Sequence, residues 1–155
     1  MRRSTVLLLL AVVAGCQKAE KPAAEPAAVA SAPAPAPPAP INLADVAGKW
    51  TVTSMPVGKD TVLVTYVLTA TADTTGWTIT FPGRKPMAMR VSASGDSVMT
   101  SSGPYESMLR KGVQVSTNGA FHLVGGKMVG INTAHYAVKT ADSVLVLRSN
   151  GTKMP

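Results

Sequence analysis

Apolar and polar side chains alternate with a period of two residues through most of the chain from residue 41 onward. Trp77, Ile79 and Phe81 fall on one face of such a run, while Thr78 and Thr80 fall on the other. This period is typical of a β-strand with one buried face. The pattern predicts one helical turn near residues 43–47 and strands near 49–55, 60–71, 76–82, 86–93, 96–101, 112–117, 120–124, 127–138 and 143–149.

Turn residues separate these predicted strands at short, regular intervals. Asn118-Gly119 lies between the runs VQVST and AFHLV, and this dipeptide predicts a two-residue hairpin there. Short connections favour an antiparallel meander, and closing the sheet removes its two unpaired edges. The sequence therefore predicts an all-β domain, an antiparallel up-and-down barrel of about 8 strands, with a β-sandwich as the alternative.

The segment before this domain has a different composition. Residues 19–40 contain ten Ala and seven Pro among 22 residues, with almost no bulky apolar side chain. Such a segment cannot bury a core and favours extended conformations. The sequence predicts a disordered tether over residues 16–40 and a single domain over residues 41–155.

The first 15 residues are typical of a targeting segment. Arg2 and Arg3 precede an apolar run from residue 6 to residue 14, which is shorter than the about 20 residues that a membrane-spanning helix needs. The only cysteine of the chain, Cys16, follows directly. A lone cysteine excludes an intramolecular disulfide and a CxxC redox pair.

The run Val13-Ala14-Gly15-Cys16 resembles the lipobox of bacterial lipoproteins. The resemblance implies a signal peptide over residues 1–15, cleavage before Cys16 and acylation of that residue by chains such as palmitate, which would anchor the protein to membrane lipid. Gln17 replaces the Asp that often retains such proteins in the inner membrane, so the resemblance favours the outer membrane, facing the periplasm. A plain secreted protein is the alternative.

Gly48-Lys49-Trp50 at the first predicted strand resembles the Gly-x-Trp signature of lipocalins. That family carries an arginine in its last strand that packs across the tryptophan, and Arg148 falls in the matching place. The resemblance implies a lipocalin-like barrel with a cation–π contact between Arg148 and Trp50 and with room for a small apolar ligand. In the alternative, Trp50 is only a core aromatic. The candidate ligand-binding residues are Trp50, Tyr66, Trp77, Phe81, Tyr105 and Arg148.

The loop predicted over residues 103–112 is the one most varied in chemistry. Tyr105 could cover the barrel mouth there, with Glu106 and Arg110 making a polar contact, or the loop could simply be packed down with those two charges paired locally.

No catalytic motif is present, so a non-enzymatic binding or interaction role without a cofactor is expected. One alternative is a periplasmic Cu(I) binder, because Met87 and Met89 share a strand face and soft thioethers favour Cu(I), with His122 completing the site. Another is a hydrolase with an unrecognised site, for example a triad of His122 or His135 with Ser116 or Ser143 and an Asp.

Charge and the apolar strands suggest partners. The formal net charge is +7, and residues 41–155 alone carry eleven bases and six acids, a net +5. Weak attraction to anionic lipid is expected, whereas nucleic acid is not, because basic and aromatic residues do not interleave. Residues 61–68 and 144–147 are apolar on both faces, so a protein partner or a second copy could cover part of the outer wall.

Overall fold

The computed structural model describes residues 38–155, and the predictions on the signal peptide, Cys16 and most of the tether lie outside this range. One short helix, α1 (Leu43–Val46), precedes nine strands. The strands are β1 (Gly48–Pro56), β2 (Val64–Ala70), β3 (Thr78–Thr80), β4 (Met87–Ala88), β5 (Arg90–Ser94), β6 (Ser97–Glu106), β7 (Gln114–Val124), β8 (Lys127–Tyr136) and β9 (Val144–Lys153). Within this range, no helix is both long enough and apolar enough to cross a bilayer.

All nine strands belong to one antiparallel sheet with the order β4-β3-β2-β1-β9-β8-β7-β6-β5. Strands that are consecutive in sequence pair with each other, except β4 and β5. In addition, β1 pairs with β9 through a seven-residue register from Trp50–Lys153 to Pro56–Leu147. The two strands at the ends of this order, β4 and β5, are separated by Met89 alone.

A single bent strand, residues 87–94, therefore completes the sheet. Its first part (β4) pairs with β3 and its second part (β5) pairs with β6. At the bend, the Met89 amide donates to the Trp77 carbonyl at 2.9 Å. The result is a nearly closed up-and-down barrel of lipocalin-like form, and the predicted fold class is confirmed.

The larger part of the core fills the end of the barrel at which α1 lies, which we call the base. Trp50, Leu68, Trp77 and Met128 are each only 1% exposed there. The indole N–H of Trp50 donates to the Val46 carbonyl at 2.8 Å, so the last turn of α1 is fixed across the base. Burial of side chains of this size contributes about 1.5–3 kcal/mol each to folding.

The hairpin predicted at Asn118-Gly119 is wrong, because β7 runs without interruption from Gln114 to Val124. Gly119 is buried and faces the barrel interior, opposite Asn132 of β8. A Cβ atom there would clash with Asn132 Oδ1 and would lie 2.8 Å from both Phe121 and Thr100. The glycine is thus required by close packing inside the wall rather than by a turn.

The region predicted as a loop over residues 103–112 is also shorter than expected. Strand β6 continues through a register shift between Ser102 and Tyr105 and ends at Glu106. The connection to β7 comprises residues 107–113.

The prediction of a helical turn near residues 43–47 is confirmed by α1, whose first turn is capped by the Asn42 side chain accepting from the Ala44 amide at 3.0 Å.

Candidate ligand-binding cavity

The end of the barrel opposite the base, which we call the mouth, is formed by four strand connections. These are residues 57–63, 81–86, 107–113 and 137–143. Between the mouth and the core at the base lies a cavity of about 60 Å³. Its lining side chains carry no formal charge: Ser54, Val64, Tyr66, Ile79, Phe81, Met89, Tyr105, Ser107, Met108, Leu109, Val115, Thr117, Asn132, Ala134, Tyr136 and Leu147.

A group of four polar side chains, the hydroxyl cluster, lies on one side of this cavity and consists of Ser54, Tyr66, Asn132 and Ser149. The Ser54 and Ser149 hydroxyls are 2.7 Å apart across the β1–β9 pair. The Asn132 amide donates to Tyr66 OH and to Ser149 Oγ, both at 3.1 Å. These bonds satisfy polar atoms that would otherwise be costly to bury.

The hydroxyl cluster occupies inward positions because of strand register. Ser54 follows Trp50 and Val52 at two-residue intervals on β1, and all three are at most 2% exposed. Ser149 is the register partner of Ser54, so the two hydroxyls must meet inside the barrel. A ladder of inward residues that begins with tryptophan at the base therefore becomes polar halfway to the mouth.

Burial raises the pKa of Tyr66 to about 12, against the lowering effect of hydrogen bonds from Ser54, Asn132 and Ser149. Burial also raises the pKa of Tyr105, opposed by hydrogen bonds from Thr117 and Ser102. Both phenols are consequently neutral at physiological pH, and each can donate its proton to a neutral acceptor.

The aromatic wall of the cavity links the two tyrosines. The Phe81 ring meets Tyr66 edge to face at a centroid distance of 5.6 Å and meets Tyr105 at 5.5 Å. Such pairs stabilise by about 0.5–1.5 kcal/mol beyond their buried area. The wall therefore holds both phenols in fixed positions beside the cavity.

Hydrogen bonds and one ion pair hold the connection 107–113 over the mouth. The Ser107 hydroxyl accepts from the amides of Leu109 and Arg110 at 3.0 and 3.1 Å. The Arg110 guanidinium lies 2.9 Å from an Asp142 carboxylate oxygen and 4.1 Å from the centre of the Tyr136 ring. Glu106 does not pair with Arg110; its carboxylate accepts from the Gly112 amide at 2.9 Å. The prediction that Glu106 and Arg110 pair locally is therefore wrong.

Three of the six predicted ligand-binding residues, Tyr66, Phe81 and Tyr105, line the cavity. Trp50 and Trp77 do not line it, because both lie in the core at the base. Tyr105 contributes to the cavity wall from β6 rather than from a loop.

The predicted contact between Arg148 and Trp50 is wrong. Arg148 pairs in register with Met55, one position away from the inward residue Ser54, and its guanidinium forms an ion pair with Asp60. The cation above Trp50 is instead Lys153, whose Nζ lies 5.5 Å from the ring centre. Strand register explains why Lys153 and not Arg148 lies above Trp50, because Lys153 is the β9 residue directly opposite Trp50.

His122 lies apart from the two candidate copper ligands on the bent strand. Met87 and Met89 pack against the hydrophobic core from the bent strand. His122 follows the buried Phe121 on β7 and is itself only half-buried. Its Nδ1 lies 3.0 Å from Ser97 Oγ at the base end of β6. Within residues 38–155, no three His, Cys, Asp or Glu side chains gather into a group that could hold a metal ion.

Asp96, Ser97 and His122 do form a local cluster. Ser97 Oγ lies 2.9 Å from the Asp96 carboxylate, and both contact the same ring nitrogen, His122 Nδ1, at 3.0 and 3.4 Å. In a catalytic triad the acid and the serine contact opposite nitrogens of the imidazole. This cluster therefore lacks the geometry of a proton relay, and it contains neither Ser116 nor Ser143.

Sequence reasoning missed Ser54, Asn132 and Ser149. The available signal was the phase of the alternation: counted from Trp50 in steps of two, Ser54 falls on the buried face, where a polar residue needs a partner.

No family model, curated protein or solved structure matches this chain.

The raised pKa of Tyr66 predicts an alkaline loss of stability. The folded protein keeps this proton up to about pH 12, whereas the unfolded chain releases it near 10.0. The folded state thus binds more protons between these values, and the free energy of unfolding should fall as pH rises through them, by up to about 1.4 kcal/mol per pH unit. Chemical denaturation at stepped pH measures the slope.

In Tyr66→Phe this slope should become shallower but not vanish, because burial also raises the pKa of Tyr105. Tyr136→Phe serves as the matched tyrosine control. An unchanged slope in Tyr66→Phe, or tyrosinate absorbance of the folded protein that assigns Tyr66 a pKa near 10, would contradict the buried position described above.

Proposed function

We propose that this chain is an envelope-anchored lipoprotein whose barrel binds a small neutral molecule with an apolar body and one polar group, without catalysing a reaction. One observation carries the proposal: a cavity with uncharged, mainly apolar walls also exposes members of a hydroxyl cluster. Pockets of this composition, mostly apolar with a few placed polar groups, are typical of small-molecule sites.

The volume of the cavity limits the ligand. A dry cavity of about 150 Å³ accommodates benzene, so 60 Å³ suits only a few heavy atoms in the present arrangement. A larger guest requires side chains to move. Met89 and Met108 line the cavity with unbranched, flexible thioethers, and Leu109 and Met108 are 38% and 39% exposed at the mouth. These side chains are the ones that can move at least cost.

The chemistry of the walls favours a neutral polar group on the ligand. The cavity offers hydroxyl and amide groups and no ionised side chain, so a buried carboxylate or ammonium would be left without a counter-charge. Tyr66 OH accepts from Asn132, so its own proton can be donated to a hydroxyl of the cluster or to a carbonyl or hydroxyl oxygen of a ligand. An alcohol, ketone or amide on a compact apolar body fits this arrangement.

The two alternative functions receive less support from the geometry. Cu(I) binding needs exposed or converging thioethers, whereas Met87 and Met89 pack against the core and His122 lies elsewhere. Hydrolysis needs a nucleophile and an acid on opposite nitrogens of a histidine, and the Asp96–Ser97–His122 cluster offers both on one nitrogen. We therefore retain a non-enzymatic binding role.

A matched pair of probes, benzyl alcohol and toluene, tests the ligand chemistry. Both have the same aromatic body, and only benzyl alcohol carries a hydroxyl group. We expect both probes to shift the methyl resonances of Met89 and Met108 in NMR spectra of the full chain. Tyr66→Phe should weaken the binding of benzyl alcohol about fivefold, the effect of one lost hydrogen bond, and leave toluene unchanged.

Ala134→Val provides the cavity control. Ala134 is 5% exposed and lines the cavity, so added methyl groups there reduce the space for either probe. Thr133→Val, one position away on β8, changes the outer face and should leave both affinities unchanged. Probe binding that is absent, or that responds equally to Ala134→Val and Thr133→Val, would contradict a ligand cavity and favour an interaction role for the barrel.

The cellular location of the protein is proposed from the lipobox-like run that ends at Cys16. Two or more acyl chains anchor stably. Gln17 in place of an Asp favours the outer membrane, with the barrel on the periplasmic side. In a bacterial host, wild-type chain should incorporate labelled palmitate and sediment with outer membranes. Cys16→Ser should abolish incorporation, whereas Ser4→Ala should not; label retained in Cys16→Ser would refute acylation at this residue.

A further inference from the structure

The two ends of the barrel differ in charge. The four connections at the mouth contain six basic and two acidic residues, a net charge of +4. The base carries Asp45, Asp73 and Asp96, and the lysines at the base ends of β1, β8 and β9 cancel these three charges. The positive charge of the domain is therefore concentrated around the opening of the cavity.

Each mouth connection carries one exposed lysine: Lys59, Lys85, Lys111 and Lys139. The two acids of these connections are already paired, Asp60 with Arg148 and Asp142 with Arg110. Across residues 38–155, no acid lies within ion-pair distance of any of the four lysines. We call these four residues the lysine rim.

Large apolar side chains are exposed on the same surface. Of the eleven exposed large hydrophobic side chains among the described residues, five lie in the mouth connections, namely Val57, Val62, Leu63, Met108 and Leu109. They are 38–58% exposed. Lysine ammonium groups beside exposed apolar side chains suit the boundary between lipid head groups and acyl chains, where each group meets its preferred solvent.

We propose that the mouth of the barrel docks on the surface of an anionic lipid bilayer, with the lysine rim at the head groups and the apolar side chains of residues 57–63 and 107–113 at the acyl boundary. The lysines are distributed over four separate connections rather than gathered in one patch, which matches a planar surface with many charges. A short acidic peptide would contact only one or two of them.

The first described residues lie at the base, so they do not cover the proposed docking surface at the mouth. The Ile41 amide donates to the Gly95 carbonyl at 2.8 Å, at the base turn between β5 and β6. Docking does not require an occupied cavity. Docking would make the cavity open toward the bilayer, so that a small apolar molecule could enter the cavity from the lipid. This consequence of docking, unlike docking itself, rests on the proposed function.

Lysine acetylation followed by mass spectrometry tests the docking with the full chain. The chain is reconstituted into vesicles of phosphatidylcholine alone or of phosphatidylcholine and phosphatidylglycerol in equal parts. On the anionic vesicles, Lys59, Lys85, Lys111 and Lys139 should react more slowly than on the neutral ones, while Lys49 and Lys127 near the base should react equally on both. High salt should remove the difference.

Charge-removing variants provide a matched comparison. In Lys59→Gln/Lys85→Gln the docking equilibrium constant, measured by the remaining protection of Lys111 and Lys139, should fall about 30-fold. In Lys49→Gln/Lys127→Gln it should not change. All four positions are exposed, and both variants should unfold at the wild-type temperature, which confirms that only the surface charge differs.

Three results would overturn the proposal. Equal reactivity of the lysine rim on both kinds of vesicle would show that charge does not bring the mouth to lipid. Slower reaction of Lys49 and Lys127 on the anionic vesicles would place the contact at the base. Protection by soluble polyglutamate but not by anionic vesicles would assign the rim to an acidic protein. Benzyl alcohol binding, measured without lipid, reports on the cavity separately.

Discussion

Closure of the sheet through one bent strand is the constraint on which the rest of the structure depends. Residues 87–94 pair with β3 before Met89 and with β6 after it. A meander left open at this point would expose two unpaired strand edges, which are prone to pairing with other chains. Because the ring is completed instead, alternate side chains of every strand face one enclosed interior, and the contents of that interior determine what the domain can bind.

The interior is graded from base to mouth. Trp50 and Trp77 fill the base, each with its indole N–H bonded to a backbone carbonyl. Beyond them several inward positions are small or polar, including Gly119 and the hydroxyl cluster, and a cavity remains between apolar walls. Interiors normally pack to the density of organic crystals, so polar groups beside unfilled space are the part of this barrel that packing alone does not explain. The cavity, the neutral tyrosines and the basic rim all lie toward the same end.

Much of the fold follows from the alternation, whereas much of the site does not. The runs around Trp77 and Trp50 predicted strands and a barrel because period two is a local property of sequence. The Asn118-Gly119 hairpin was wrong because the same glycine also serves close packing against Asn132, a contact between strands. Lys153 rather than Arg148 meets Trp50 because register, which depends on the lengths of all intervening turns, decides which residue lies opposite. The pairing of Ser54 with Ser149 depends on that same register.

Amide hydrogen exchange at the bend tests closure most directly. The Met89 amide bonds to the Trp77 carbonyl, and the amides on either side bond to different neighbouring strands. If the barrel is closed as described, the Met89 amide should exchange only through global unfolding, with the same opening free energy as the amides between β1 and β9. Fast exchange at Met89 and along residues 87–94, with slow exchange elsewhere, would show an open sheet and contradict this account.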